Sequence, residues 1–431
     1  MTYPRIALLC GALFSALCFS STAAAQITFD EMAIEFSDGL GFLDVTVDPA
    51  IDENGRVVFA GDDPFGNEKL FVSDGVSVTT IPLDAGGYDD VESVQINAAD
   101  HVVWTSRRTA GIAYRGAYRT NAAGTFSSIL REGPVVFDPL NPPVNGRVAL
   151  SPNGTVAYST IVNGDGAIYR HNVLGVSQLL REGTGTFFNT KRLDVNDAGE
   201  VVVQMEYFDP TMGLARGLLV FDEINQTRDE IVTAVEKQGI GTQPEPNINT
   251  SGEVAFSLNA DSTMRFYDPP NNASGTLVAE ITLTPGVYIA TPTAFGQPPI
   301  VTQVVGTSTG FDSFGSDVQI NENGVVVFRA VKTAGGSGLY FGPDPVADKI
   351  IEPGDEMDGR LFSVFYMGEL NDANQLVLMT SDFISTDRQV WRVNNVPEPG
   401  VSALLGAGLL GVALFGRRRE SLPDRRLDLS A

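Results

Sequence analysis

A nine-residue pattern that recurs seven times constrains the fold of this chain more than any other sequence feature. Successive copies begin 45, 54, 45, 53, 72 and 50 residues apart. They are IDENGRVVF from Ile51, INAADHVVW from Ile96, LSPNGTVAY from Leu150, VNDAGEVVV from Val195, INTSGEVAF from Ile248, INENGVVVF from Ile320 and LNDANQLVL from Leu370. Self-similarity at this period predicts a repeat architecture, in which each unit buries its apolar face against its neighbours.

Each copy predicts a β-hairpin around a type I turn that ends on a residue with positive φ. The second position supplies the side-chain acceptor that such turns favour at their start; it is Asp52, Asn97, Ser151, Asn196, Asn249, Asn321 or Asn371. The fifth position must tolerate positive φ; it is Gly55, Gly154, Gly199, Gly252 or Gly324, with Asp100 and Asn374 as the two exceptions. These exceptions are the residue types that enter the left-handed region most readily after glycine.

The residues after the turn predict a strand that is covered on both faces. Positions seven to nine are nearly all apolar, as in Val57-Val58-Phe59, and a strand that is apolar on both sides is buried on both sides. The sixth position is expected to face solvent; it is Arg56, His101, Thr155, Glu200, Glu253, Val325 or Gln375.

A second hairpin follows most copies, as in GAYRTNAAGTFSSILREG and GAIYRHNVLGVSQLLREG. Each repeat therefore has about four short strands, which is typical of a propeller blade. We predict an all-β, seven-bladed β-propeller over residues 26–395, with Ile27–Phe36 completing the last blade and closing the ring. A β-solenoid of stacked hairpins is the alternative architecture.

The interval from Ile248 to Ile320 is about twenty residues longer than its neighbours. RFYDPPNNASG is interpreted as the second hairpin of this repeat, and LTPGVYIATPTAFGQPPIVTQVVG is assigned to an insertion. An insertion of this kind is either a binding loop held by the scaffold or a tolerated surface excursion.

The repeats of residues 48–380 resemble those of bacterial tandem-repeat proteins with an Asn-x-x-Gly-x-x-Ala-Phe consensus. INTSGEVAF is the best match, whereas Ser151 and the last copy depart most from the consensus. The resemblance implies a repeat scaffold that is combined with a surface anchor, and it implies no catalytic activity.

The N-terminus has the order of a secretory signal. Arg5 precedes an apolar run, and small residues follow up to Ala23-Ala24-Ala25, so we expect cleavage after Ala25 and a signal peptide over 1–25. Both cysteines of the chain, Cys10 and Cys18, lie in this segment. The mature chain is therefore expected to contain no disulfide.

Three features stand in order near the C-terminus. Val396-Pro397-Glu398-Pro399 is a rigid, extended element because proline fixes its own φ and restricts its predecessor. An apolar run, Val401 to Gly416, follows, and Arg417, Arg418 and Arg419 come directly after it. As a helix the run spans about 24 Å, which is short for a hydrocarbon core of about 30 Å. The arginines predict a cytoplasmic end, with 420–431 as a tail.

This order over 396–419 resembles the PEP-CTERM sorting signal. The resemblance implies a short transmembrane helix that anchors the protein transiently in the inner membrane of a Gram-negative bacterium. It further implies processing by an exosortase-type enzyme near Pro397 to Pro399, followed by display at the cell surface or release into an exopolysaccharide-rich matrix or biofilm.

The sequence offers little for catalysis. Its two histidines, His101 and His171, are expected to be surface substitutions, and no metal-ligand or phosphate-loop motif occurs. Carboxylates cluster in YDDVES (Asp89, Asp90, Glu92), NGDG (Asp165) and PGDEMDG (Asp355, Glu356, Asp358). Calcium binding by these loops is a hypothesis, although none of them has the alternating ligands of an EF-hand.

A formal net charge of −25 disfavours nucleic acid as a partner and favours cations or neutral sugars. We expect a non-enzymatic surface or matrix protein, with exopolysaccharide as the expected partner. The alternatives are a secreted polysaccharide hydrolase or lyase that uses two carboxylates 5–10 Å apart, and a calcium-dependent adhesion module.

Overall fold

The computed structural model describes residues 27–34, 47–62, 68–81, 90–108, 114–120, 126–134, 144–162, 165–172, 177–182, 189–209, 213–221, 228–236, 246–268, 276–293, 298–382 and 388–397. Over these residues the protein consists of β-strands and one 3-10 helix, Thr307–Thr309. No helix in this part of the chain has the length and apolar character needed to cross a membrane.

The strands form the seven antiparallel blades of a β-propeller, which confirms the predicted fold. The first strand is β1 (Thr28–Ile34). Blade 1 is β2 (Ala50–Ile51), β3 (Val57–Asp62), β4 (Glu68–Ser73) and β5 (Val78–Ile81); blade 2 is β6 (Asp90–Ile96), β7 (Val102–Arg108), β8 (Tyr114–Thr120) and β9 (Phe126–Pro134). Blade 3 is β10 (Val144–Leu150), β11 (Val156–Val162), β12 (Asp165–His171) and β13 (Ser177–Glu182); blade 4 is β14 (Asn189–Val195), β15 (Val201–Asp209), β16 (Gly213–Phe221) and β17 (Arg228–Glu236).

The remaining blades contain one variation. Blade 5 is β18 (Asn247–Ile248), β19 (Val254–Leu258), β22 (Gly286–Thr291) and β23 (Ile300–Gly306), with the hairpin β20 (Ser262–Asp268) and β21 (Thr276–Leu283) inserted between β19 and β22. Blade 6 is β24 (Phe311–Ile320), β25 (Val326–Lys332), β26 (Ser337–Tyr340) and β27 (Lys349–Ile351). Blade 7 is β29 (Arg360–Leu370), β30 (Leu376–Asp382), β31 (Arg388–Asn394) and β1, with the short β28 (Glu356–Met357) paired to the start of β29.

In the part of the chain that the structure describes, seven apolar cores each lie between two neighbouring blades. Alternating residues of one strand enter different cores: Val57 and Phe59 pack against blade 7, whereas Val58 packs against blade 2. All three side chains are fully buried. The double-sided apolar pattern of motif positions seven to nine thus reflects a strand between two cores, as the sequence predicts.

A cross-strand aromatic pair recurs at the ninth motif position. Phe59 stacks on Phe71 of β4 with ring centroids 5.5 Å apart, and Trp104 stacks on Tyr118 of β8 at 5.6 Å. Further pairs of this kind are Tyr158 with Tyr169, Phe256 with Tyr288 and Phe328 with Tyr340. Pairs at this separation add stability beyond the area that they bury.

The N-terminal strand closes the ring, which confirms that prediction. β1 pairs antiparallel with β31, from Thr28 opposite Asn394 to Ile34 opposite Gln389. The strand is outermost in blade 7, so the last blade combines both ends of the chain. Ser73 of blade 1 also donates from its hydroxyl to the Met32 carbonyl at 2.8 Å.

The assignment of the insertion in blade 5 was wrong. The outer strands β22 and β23 come from the stretch assigned to the insertion, and the extra element is the pair of strands β20 and β21, of which β20 contains the RFYD of RFYDPPNNASG. Tyr288 of β22 lies opposite Phe256 and supplies the aromatic partner of the ninth motif position, which explains why β22 and not β20 pairs with β19. β20 instead lies alongside β17 of blade 4, and its Met264 is buried in the core between blades 4 and 5.

Candidate functional site: the turn ring and the chain termini

The seven motif turns lie together around the mouth of the central channel, because each joins the innermost strand of its blade to the second strand. We call these residues the turn ring: 52–55, 97–100, 151–154, 196–199, 249–252, 321–324 and 371–374. The face of the propeller that carries them is the turn face. The first motif positions of all seven blades line a cavity at its centre.

Each turn is built by its second and fifth residues. The Asn371 side-chain oxygen accepts from the Gln375 backbone N–H at 2.8 Å, and the Asn374 N–H donates to the Asn371 carbonyl at 3.1 Å. The fifth residues all have positive φ: 77° for Gly55, 63° for Asp100, 90° for Gly154, 80° for Gly199, 77° for Gly252, 74° for Gly324 and 58° for Asn374. The seven second residues are buried, each at most 3% exposed.

Four of these asparagines also join one turn to the next, a role that the sequence reasoning missed; in the Asn249 turn the Thr250 hydroxyl makes the connection, donating to Glu322 at 2.5 Å. The amide nitrogen of Asn196 donates to the Asn249 carbonyl at 2.8 Å. Asn321 donates in the same way to the Asn371 carbonyl at 3.0 Å, and Asn371 donates to the Asp52 carbonyl at 2.8 Å. The last of these bonds connects blade 7 to blade 1, so it closes the turn ring.

Where the second residue has no amide, another side chain of the turn makes the connection. Beside Asp52, the Arg56 guanidinium donates to the Asn97 carbonyl at 3.3 Å. Beside Ser151, the Asn153 amide donates to the Asp197 carbonyl at 2.6 Å. Both turns therefore still donate a hydrogen bond to the next turn, although a different residue supplies the donor.

The sixth motif position is less exposed than predicted. Val325 is fully buried and Thr155 is 8% exposed, and the other members are half-buried. Glu200 accepts from the Asn196 amide at 2.7 Å, and Gln375 accepts from the Asn371 amide at 3.0 Å. The position contacts its own turn, which explains why solvent does not reach it fully.

Two arginines, each on the third strand of its blade, donate hydrogen bonds to the turn of the next blade. Arg170 of β12 is 1% exposed and donates to the Gly199 carbonyl at 2.7 Å. Arg392 of β31 donates to the Gly55 carbonyl at 2.7 Å and to Asp30 of β1 at 2.6 Å. The signal that could have found them is the aromatic-Arg pair in YRH and WRV.

Carboxyl groups from different blades face the central channel. Asp194 accepts from the Ile248 N–H of the next blade at 3.0 Å, and Glu369 accepts from the Ile51 N–H at 3.4 Å. A second cavity lies deeper along the channel and shares Asp194 and Glu369 with the first. These carboxyls therefore hold the inner strands of neighbouring blades.

Burial in the channel shifts the titration of these groups. It raises the pKa of Glu369 to about 8, with a further contribution from the Asp194 charge, and it raises the pKa of Asp194 to about 6. At the rim of the turn ring, burial and the neighbouring Asp372 raise the pKa of Glu53 to about 7. These carboxyls consequently change charge near neutral pH.

The other sequence candidates are dispersed. Asp355 accepts from the Lys349 ammonium at 2.9 Å and from the Glu352 N–H at 2.8 Å, so it orders its own loop. His171 is 8% exposed, which corrects its assignment as a surface substitution, and burial lowers its pKa. Among the residues that the structure describes, no group of three or more His, Cys, Asp or Glu side chains is arranged to hold a metal ion.

The predicted sorting segment begins inside the folded propeller. Val396 is 1% exposed and packs in the core between blades 6 and 7. Its N–H donates to the Asn374 carbonyl at 3.0 Å, and Asn395 before it has a φ of 58°. Pro397 is half-buried. The remaining predicted residues, Glu398, Pro399, Arg417, Arg418 and Arg419, and also Ala23 and Ala25, lie outside the described residues.

A family model for the PEP-CTERM protein-sorting motif matches residues 395–419. The chain carries a PEP-CTERM sorting motif at these residues. This motif implies that the protein is exported and sorted by an exosortase-type enzyme. The resemblance of the repeats to the Asn-x-x-Gly-x-x-Ala-Phe class stays a prediction.

No curated protein matches this chain. Among solved structures it is similar to polysaccharide lyase Uly1, with 6% identity, a TM-score of 0.46, and coverage of 86% of this chain and 99% of that one. YCF48 from Cyanidioschyzon merolae is 13% identical with a TM-score of 0.42, over 86% and 98% of the two chains. A prolyl endopeptidase is 14% identical with a TM-score of 0.48, over 82% of this chain and 48% of its own. Likenesses at these identities concern the fold alone.

Proposed function

We propose that this protein is an exosortase-sorted scaffold of the cell surface or extracellular matrix, associated with exopolysaccharide. In this proposal the signal peptide 1–25 directs export, the segment 396–419 anchors the chain transiently in the inner membrane, and cleavage near Pro397 to Pro399 leaves the propeller at the surface or in the matrix. The observation that carries the proposal is the PEP-CTERM motif at residues 395–419, which directly follows the last strand of the ring.

The arrangement of the propeller supports a scaffold role. Its motif asparagines and its channel carboxyls Asp194 and Glu369 bind backbone groups of the next blade. These polar groups therefore stabilise the ring itself. The net charge of −25 favours neutral or cationic polysaccharide over an anionic one as the partner.

The test is mass measurement of the protein from its native host, with and without the exosortase-type enzyme. We expect a chain that begins at Gln26 and ends near Pro397 to Pro399 in the first host. In the second we expect a chain that retains residues 400–431 and fractionates with the membrane. A chain of equal mass in both hosts would contradict the sorting proposal.

The alternative activities are separated by two further measurements. Turnover of a polysaccharide by the purified propeller, lost in Glu369→Gln or Asp194→Asn, would support a hydrolase or lyase in the channel. A rise in melting temperature with calcium, reversed by chelator, would support an adhesion module. The scaffold proposal expects neither result, and it expects retention on a neutral polysaccharide matrix.

A further inference from the structure

The two ends of the folded ring leave the propeller at one corner of the turn face. Thr28 lies opposite Asn394 in the β1–β31 ladder, so the start of the mature chain and the start of the sorting motif are neighbours. The expected cleavage site after Ala25 is three residues before Thr28. Any membrane segment at either end is therefore joined to the same face.

Val396 fixes the point at which the C-terminal segment departs. Its side chain is fully enclosed between blades 6 and 7, and its N–H bonds to the turn ring through the Asn374 carbonyl. A buried side chain together with a backbone bond leaves no free linker between the last strand and Pro397. The sorting motif is thus a direct continuation of the fold.

The distance from this point to the bilayer is limited by the number of residues that remain. The apolar run begins at Val401, so only four residues, 397–400, separate it from Val396. Fully extended, four residues span about 14 Å. The opposite face lies about 20 Å further away, because β25 has seven residues at about 3.3 Å each.

We propose that the membrane-anchored protein holds its turn face toward the bilayer and its opposite face away from it. This inference rests on the proposed membrane anchoring of residues 401–416. The lipid surface and the processing enzyme then meet the corner of the turn ring formed by blades 6, 7 and 1. The buried Val396 side chain and its backbone bond to Asn374 position the C-terminal segment on this face.

Acidic side chains lie on this corner of the turn ring. Glu53, Glu322 and Asp372 lie on the third positions of these three turns, and Glu322 is exposed. A separation of about 14 Å from the bilayer exceeds the Debye length of about 8 Å, so repulsion between these side chains and anionic lipid is largely screened. The short tether, and not the charge of this corner, therefore sets the orientation of the propeller.

Two single-cysteine variants of the full chain test the orientation. The chain has no cysteine after Cys18, so labelling is specific once the signal peptide is removed. Ala373→Cys labels the exposed tip of the blade 7 turn on the turn face, and Ala334→Cys labels the exposed β25–β26 turn on the opposite face. Each variant is expressed in a host without the processing enzyme and labelled in the isolated membranes with a short fluorophore.

Nitroxide-headgroup lipid is then added as the quencher. We expect quenching at position 373 to exceed that at position 334 at least threefold. Equal quenching at both positions, or stronger quenching at position 334, in membrane-bound protein would overturn the orientation while leaving the anchoring intact. Recovery of the chain only in the soluble fraction would overturn both proposals.

A matched insertion tests the role of the Val396 anchor. Twelve Gly and Ser residues between Val396 and Pro397 add a flexible linker with a root-mean-square length of about 19 Å. The propeller keeps all its contacts in this variant, so folding is not at risk. The difference between the two probes should fall to less than 1.5-fold, and an undiminished difference would show that another contact orients the propeller.

Discussion

Replacement of Asn371 by alanine tests whether the turn ring stabilises the propeller. Asn371 is 2% exposed, accepts from the Gln375 N–H at 2.8 Å and donates to the Asp52 carbonyl at 2.8 Å. The variant removes both bonds and also the bond from the Asn371 amide to the Gln375 side chain, and it leaves the half-buried Gln375 N–H without its partner. The Asp52 carbonyl retains one bond, from the Gly55 N–H at 3.0 Å.

The expected cost follows from these contacts. A buried group that loses its partner costs about 1–3 kcal/mol, and an ordinary hydrogen bond contributes about 1 kcal/mol. We therefore expect Asn371→Ala to lower the free energy of unfolding by about 2–4 kcal/mol. With an unfolding entropy of about 2.1 cal/mol/K per residue over roughly 370 residues, this corresponds to about 3–5 °C in Tm.

The assay is reversible denaturant unfolding of residues 26–397, followed by tryptophan fluorescence, with calorimetry for Tm. Trp391 lies in β31 of the closing blade and is 2% exposed, so it reports on this junction. Asn54→Ala is the matched control, because Asn54 is exposed and its amide is 3.4 Å from the Ala98 carbonyl. We expect the control to change stability by less than about 0.5 kcal/mol. Equal, small effects in both variants would refute the stabilising role of the turn ring.

Three further changes probe the turns, the channel and the closure. Gly252→Ala should destabilise the propeller more than Gly324→Ala in denaturant unfolding. Both glycines have positive φ, so both variants share a backbone strain of about 1–2 kcal/mol. A Cβ at position 252 would in addition meet Glu200 and Pro292 at 3.2 Å, whereas a Cβ at position 324 would enter open space. The raised pKa of Glu369 means that the folded chain binds this proton more tightly than the unfolded chain, so the free energy of unfolding should fall as pH rises from 4.5 to about 8. Glu369→Gln should reduce this dependence of Tm on pH in a series of melting curves. Arg392→Ala should cost about 1.5–3 kcal/mol and expose β1 to limited proteolysis, because its bonds to Gly55 and Asp30 are lost; unchanged proteolysis would contradict this role.

Much of the fold could be predicted because the turn chemistry acts within one repeat. The acceptor at the second position bonds an N–H four residues later, and the positive φ lies at the fifth position between them, so the sequence of a single copy contains both. Val57 and Val58 predict burial on both faces for the same local reason. The seven-bladed ring and its closure by an N-terminal strand then follow from the number of copies and the strand left over.

The contacts between repeats could not be predicted in this way. The Asn371 amide bonds to the Asp52 carbonyl because blades 7 and 1 pack together, and these two residues are 319 positions apart in sequence. The inserted hairpin of blade 5 was misassigned because two stretches of the same repeat both contain aromatic strand residues. The burial of Val396 likewise depends on blade 6, and no local pattern indicates it.

The exceptions in the repeat show which property of the turn the fold requires. Asp52 and Ser151 lack an amide, and in both turns a different side chain, Arg56 or Asn153, donates to the next turn. Both substitutes lie within four residues of the position that they replace. The requirement is therefore a buried acceptor for the turn together with a donor to the neighbouring blade. A single asparagine satisfies both in the Asn196, Asn321 and Asn371 turns, which explains why this residue recurs at the second position.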